Sequence, residues 1–498
     1  MKRVPRPNQR TFPSGAARST RDAGPGGRRA FTLPAPAQSA NRRCAAVDLP
    51  PLLRKRSPRK PIRTPDDPGT RRIFGSRGFA VVSSLVLIAV LSACLPISAS
   101  AALLVPMDFV QTDHLRAYGL AYWCLERGQS VEWLLNYRGG AFLLNGLPEN
   151  EREARIKGVL LEEVSGAGLA AIYSEIEQNN MEAILLEKSP RIAVYVPPNV
   201  QPWDDAVTLA LDYAEIPYDR LWDEEVLDGE LENYDWLHLH HEDFTGQYGK
   251  FYASFRNAAW YKEQQALYEM KAREAGFPSV AEHKKAVART IKEYIARGGF
   301  VFAMCSATDS FDIALAAEGV DIVDKQYDGD PPDPGCQERL DYSKTLAFTN
   351  FVLEMNPLVY EYSDIDTSNH ALARGFDREY FTLFEFSAKH DPVPTMLTQC
   401  HVSVIKGFLG QTTGFNRERI KESSLVLAEV EGTEELKYIH GNFGRGTFTF
   451  YGGHDPEDYQ HAVGDPPTDL SLHKNSPGYR LILNNILFPA AEKKEQKT

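Results

Sequence analysis

Three short stretches hold side chains that could do chemistry together: MCSATD around Cys305, HLHHED around His240 and His241, and GGHDPEDY around His454. Cys305 stands between a continuously apolar run, Phe300 to Met304, and a helical pattern that begins at Ser306 with Asp309 in its first turn. A thiolate at a helix N-terminus is favoured by the dipole and by free N–H groups, and the same groups can hold an oxyanion. It becomes a nucleophile when an imidazole takes its proton and a carboxylate fixes that imidazole's tautomer. His454 is the candidate imidazole, Glu457 or Asp455 the candidate carboxylate, and Gly453 lets backbone come close to a ligand. The other reading makes Cys305 a small buried hydrophobe and His454 a loop histidine bonded to backbone. His240, His241, Glu242 and Ser306 are candidate ligand-binding residues. On a strand His238 and His240 share one face and His241 takes the other, which makes a two-histidine-plus-carboxylate metal site geometrically available. A polar strand end lining a pocket is the plainer reading, and no metal or other cofactor is assigned.

These stretches need a scaffold that brings strand ends together. LLVPMDF reads as a buried strand, and Leu115, Tyr118, Tyr122 and Leu125 fall three or four apart on a helix started by Thr112 or Asp113 and stopped by Gly128. VEWLLNYRGGAFLL follows as strand and turn, with Arg138 a candidate anion-binding residue. A similar unit recurs from Arg191 to Trp222, and both copies read as βαβ units, which argues for a parallel sheet with helices on its faces. WLHLH is a further strand, 249–275 a helical insertion rich in aromatic residues, and VAEHKKAVARTIKEYIARGG a helix closed by Gly298 and Gly299. The span 326–430, Pro-rich and irregular, is expected to be an insertion or a β-rich cover. A hairpin leading to His454 and a terminal helix close the pattern. In an open α/β sheet ligands gather at the carboxyl ends of the strands, where the three polar stretches fall.

Strand, Cys305, helix and then, late in the chain, a strand and His454 together resemble the class I glutamine-amidotransferase-like superfamily. The likeness spans 191–490 with insertions, and GRGTFTFYGGHDPEDY followed by GYRLILNNILFPA is similar to its trehalose-utilisation-like branch. The resemblance implies an α/β, flavodoxin-like fold with a mostly parallel sheet flanked by helices. It also implies a Cys305 nucleophile acting on an amide or related acyl carbon, with His454 moving the proton and Glu457 or Asp455 orienting it. The trehalose-utilisation-like branch implies instead a non-catalytic module that binds a carbohydrate or other small polar ligand in the same cleft. The chain departs from the amidotransferase pattern in two ways: Ala303 and Ala307 replace the glycines flanking the nucleophile, and Pro456 stands where a glutamate follows the histidine. From MDFVQTDHLRAYGLAYW onward the chain is also similar to exported bacterial proteins labelled asparagine synthetase B. That activity needs an N-terminal cysteine and a Ser-Gly-Gly-x-Asp-Ser loop for ATP, whereas residue 2 is Lys2 and the loop is absent.

Charge divides the chain. The first 80 residues carry 19 Lys and Arg against 4 acidic residues, and the remainder carries 36 against 63. Residues 1–70, rich in Pro, Arg, Gly and Ser, have no apolar period on which to build a core and read as a disordered basic segment or a non-native extension. Arginines, an uncharged run from Gly78 to Met107 and small residues then give 71–101 the layout of a secretory signal. Leu91-Ser92-Ala93-Cys94 resembles a lipobox, which would lipidate Cys94, and Ala99-Ser100-Ala101 resembles an ordinary cleavage site. Export to the periplasm or cell envelope is expected by either route. An α/β unit at 102–190 precedes the main domain at 191–490. The expected partner is a small polar substrate or ligand, with no nucleic acid and with membrane contact only through a lipid anchor. Six cysteines are too few and scattered for a disulfide scaffold or a CxxC zinc site.

Overall fold

The computed structural model describes residues 102–460 and 462–492, so the basic segment, the signal and Cys94 lie outside the described residues. The chain first builds a five-stranded sheet from β1 (Ala102–Val105), β2 (Val131–Leu135), β3 (Ala141–Leu144), β4 (Glu162–Val164) and β5 (Glu182–Leu186), in the order β4-β1-β3-β2-β5. Every pairing in it is antiparallel, which corrects the expected N-terminal βαβ unit and the internal repeat. The reason is local. Asn136, Arg138, Gly139 and Gly140 all take positive φ, so the chain reverses within five residues and β3 returns alongside β2. Arg138 pairs with Asp108 at 2.8 Å and Glu162 at 2.6 Å, so it braces the turn rather than an anion.

The second sheet holds β6 (Ile192–Tyr195), β7 (Asp219–Leu221), β8 (Trp236–His240), β9 (Phe300–Met304), β10 (Tyr380–Leu383), β11 (Val404–Lys406), β12 (Phe415–Asn416), β13 (Ser424–Glu429), β14 (Glu435–Phe443) and β15 (Gly446–Tyr451). Its order is β11-β10-β13-β14-β15-β9-β8-β6-β7, with β12 on β14. From β7 to β15 the pairings are parallel, and beyond β15 they are antiparallel. The span 326–430 is therefore more than a cover: it supplies strands that widen the sheet. β8 is apolar or histidine throughout and buried along its length, as a strand covered on both faces must be.

Alternation along β6 shows the layers. Ile192 and Val194 join a core with the helices His114–Glu126, Ala206–Ala214 and Pro477–Leu487, while Ala193 and Tyr195 join one with Val280–Arg297 and Ala307–Ala316. Ser279 caps the helix Val280–Arg297 by accepting from the Glu282 N–H, and Gly298 ends it at φ 120. Asp205 caps Ala206–Ala214 by accepting from Val207 and Thr208. The helix of the first sheet packs on two helices of the second, so 102–190 and 191–490 share a core. No helix among the described residues is long and apolar enough to cross a membrane.

Candidate functional site

In the parallel part of the second sheet, numbering the five strands in chain order gives 2-1-3-4-5. The order reverses between β6 and β8, and the connections leaving their carboxyl ends diverge and open a crevice. After β6 comes the stretch VPPNVQPWDD, and after β8 come His241 and Glu242. Trp203, Asp204, Asp205, His240, His241 and Glu242 line a cleft of about 630 Å³ there, with Trp222 and Tyr268 in its wall. Tyr268 comes from the helix Ala259–Glu274, so the aromatic insertion helps to shape the cleft.

Imidazoles and carboxylates interlock at its floor. His240 Nε2 stands 2.9 Å from His454 Nδ1. On the outer sides, Asp205 Oδ2 lies 3.1 Å from His240 Nδ1 and Asp204 Oδ1 lies 2.9 Å from His454 Nε2. Asp205 also reaches His238 Nε2 at 3.2 Å, while His238 Nδ1 faces the Phe302 carbonyl. Burial raises the Asp205 carboxyl, but His238 and His240 outweigh it and hold the group well below the usual carboxylate range. His241, at φ 52, leaves the strand alternation; its ring lies 4.7 Å from that of His240 and 4.3 Å from that of His454.

Cys305 occupies the expected strand-to-helix junction at φ 55, a strained position for a residue with a side chain. The imidazole beside it is His241, with Nδ1 3.5 Å from Sγ, rather than the expected His454, which is engaged with His240 and Asp204. The thiol is fully buried and does not line the cleft. Burial pushes it well up, and the backbone N–H groups of Ser306 and Gln411 pull the other way without reversing the shift. Ser306 is buried, and its hydroxyl has no hydrogen-bond partner among the described residues. Nearby, Asp309 accepts from the Thr412 hydroxyl at 2.9 Å, and burial raises the Asp366 carboxyl to about 6. Cys124, Cys305, Cys336 and Cys400 are all free thiols.

The other expected residues divide. Glu242 reaches the buried Lys284 at 3.5 Å, and burial pushes its carboxyl up to about 7. Lys284 also donates to Tyr195 and Asp223, both at 2.9 Å. Asp455 and Glu457 do not orient His454. Asp455 accepts from the Glu457 N–H and, at 2.7 Å, from the Tyr479 hydroxyl, whereas Glu457 accepts from Tyr459 and pairs with His473 at 2.9 Å. Pro456 carries the chain past His454, so these carboxylates brace the loop. Gly453, at φ 91, packs against Phe408 instead of lining the cleft. Sequence reading missed Asp204, Asp205 and Trp203; an acidic pair just ahead of a helix, with only one residue needed as its cap, was the available signal.

No family model matches this chain, and no curated protein matches it. Among solved structures it is similar to the cytoplasmic protein STM3548 from Salmonella typhimurium, at 11% identity and a TM-score of 0.28. It is also similar to the cytoplasmic protein STM1381 from Salmonella typhimurium LT2, at 12% identity and a TM-score of 0.30. Each match covers 61% of this chain and 100% of the other. A third similarity, to Gan42B, a GH42 beta-galactosidase, has 9% identity and a TM-score of 0.23 over 54% of this chain and 28% of that one. These likenesses are too distant to bear on activity.

Proposed function

We propose that this is an exported protein of class I amidotransferase-like, flavodoxin-like fold whose cleft binds a small, hydroxyl-rich polar ligand such as a carbohydrate. The strand order 2-1-3-4-5 supports the fold reading, since flavodoxin-like sheets share it and bind ligands at the same switch point. One observation carries the ligand reading: carboxylates, imidazoles and indole rings line the cleft together, while the candidate nucleophile is sealed beneath it. Carboxylates and imidazoles exchange hydrogen bonds with hydroxyls, and an indole face covers the apolar face of a sugar ring. Trp222 Nε1–H, buried in the cleft wall, makes no hydrogen bond among the described residues and is a donor for such a ligand. Calorimetric titration with a panel of mono- and disaccharides tests this. Binding in the millimolar range or tighter, weakened at least about tenfold in Trp203→Ala, is the expected result, a loss of about 1.4 kcal/mol. A panel without any binder, or affinity untouched in Trp203→Ala, overturns it.

The φ of Cys305 and its 3.5 Å approach to His241 favour a second reading, a cysteine hydrolase acting on an amide. His241 would take the thiol proton, Sγ would bond to the acyl carbon, and the proton would pass to the leaving amine before water cleaves the thioester. This chemistry requires the cover over Cys305 to open. Site-resolved iodoacetamide labelling of the native protein at neutral pH separates the readings. The binding reading expects Cys305 to stay unlabelled until denaturation, and labelling of Cys305 ahead of Cys124 and Cys336 would favour the hydrolase.

A further inference from the structure

We infer that His240 and His454, with His241 as a third donor, form a binding site for a divalent first-row transition metal, best matched by Zn²⁺. Asp204 meets His454 Nε2 in a hydrogen bond at 2.9 Å and holds that ring's proton there, while Asp205 lies 3.1 Å from His240 Nδ1, outside hydrogen-bond geometry but on the side toward which its charge draws the proton. The nitrogens left over are His240 Nε2 and His454 Nδ1, and these two face each other at 2.9 Å. In those tautomers the two rings oppose lone pair to lone pair. A cation between them turns that repulsion into two bonds.

The surroundings fit a metal in three respects. One nitrogen from each of His240, His241 and His454 lies within 4.8 Å of one from the others. Zn–N bonds of roughly 2.0–2.1 Å at a tetrahedral angle set ligand nitrogens about 3.3 Å apart, so the pair needs to open by only about 0.4 Å. Asp204 and Asp205 stand where metal-binding histidines usually find their outer carboxylates, which fix ring orientation and raise ligand basicity. Together they also bring the negative charge that a divalent ion needs. His240, His241 and both aspartates line the cleft, which gives the ion a path in. Imidazole donors suit zinc, copper and nickel and disfavour calcium and magnesium. The inference does not rest on Cys305 or on the identity of the cleft's organic ligand.

The test uses the whole purified chain, stripped with a chelator and titrated with Zn²⁺ at pH 7.5 against a chromophoric competitor. One tightly bound zinc per chain, with Kd below about 1 μM, is expected. His240→Ala and His454→Ala should each weaken it at least about 100-fold, and Asp204→Asn or Asp205→Asn about 10- to 100-fold. Absence of stoichiometric binding, or full affinity in both histidine variants, overturns the inference and leaves a shared proton only between the two rings. Zinc-edge X-ray absorption on the unmodified protein covers the case in which the variants fail to fold. A first shell of imidazole nitrogens at about 2.0 Å supports the site, and an all-oxygen shell overturns it.

Discussion

His241 shows how one backbone angle redirects chemistry. Had it kept the extended conformation of β8, its ring would point to the face opposite His240; at φ 52 the two rings stack and His241 comes up against the thiol. Lys437 is the residue whose charge state most plainly couples to stability. It is fully buried on the Phe408 and Thr413 carbonyls, and burial pushes its ammonium down to about 7. In the unfolded chain it returns to about 10.5. Between those values the unfolded state holds the extra proton, so stability rises with pH across the window and is lost as pH falls toward 7. Urea unfolding at pH 7, 8 and 9 should give Lys437→Met a slope shallower than the parent's by up to about 1.4 kcal/mol per pH unit. Equal slopes would refute the assignment. Gly453 is a second test at this scale: a Cβ there meets Phe408 at 2.6 Å in a left-handed backbone. Gly453→Ala should cost about 1–3 kcal/mol, read from the same unfolding curves.

Helix Ala307–Ala316 follows the Cys305 elbow and is buried on every side, so something polar must hold its place. Asp312 does so. Its carboxylate accepts the backbone N–H groups of Leu346, Ala347 and Phe348 at 2.7, 2.7 and 2.8 Å, tying the helix to a segment that carries no regular structure of its own. Those donors have no water to turn to once the carboxylate is gone. Asp312→Ala is expected to lose about 2–4 kcal/mol of unfolding free energy, because charged hydrogen bonds contribute more than neutral ones and the orphaned N–H groups carry a desolvation cost. Amide exchange at 346–348 should accelerate in the variant. Unchanged exchange there would mean that the β-bridge from Phe348 to Ile420 and the apolar side chains hold the segment without Asp312.

Across the whole molecule the two sheets are joined by a buried cation. Arg480, on the terminal helix, donates to the Met107 carbonyl at 3.0 Å and the Gly139 carbonyl at 2.8 Å and also contacts His401, so the last helix grips the first sheet. Burial, and then the charge of Arg480, push His401 down to about 3 and His114 to about 4, which keeps both rings neutral beside the guanidinium at physiological pH. Thermal and urea unfolding are therefore expected to be one transition, seen alike by far-UV dichroism and by tryptophan fluorescence. Arg480→Met should lower stability by about 3 kcal/mol or more, since it strands several buried acceptors. Two separate transitions in the parent protein would show that 102–190 folds on its own.

Much of the scaffold was legible from local pattern. Apolar runs, helical spacing and caps located β8, β9, the elbow at Cys305, the hairpin before His454 and the terminal helix, because each depends on residues a few positions apart. The carboxyl-end location of the polar stretches followed from the same pattern. Pairings between distant segments were not legible. That β3 would return antiparallel to β2 and come between it and β1 depended on positive φ angles at Asn136, Arg138, Gly139 and Gly140, and the role of 326–430 on which sheet edge lay open. The site itself was decided by tertiary structure: Asp204 meets His454 across 250 residues and His240 meets it across 214. Sequence supplies the donors and acceptors, but which lone pair faces which proton depends on strand order and side-chain direction over distances that no local periodicity encodes.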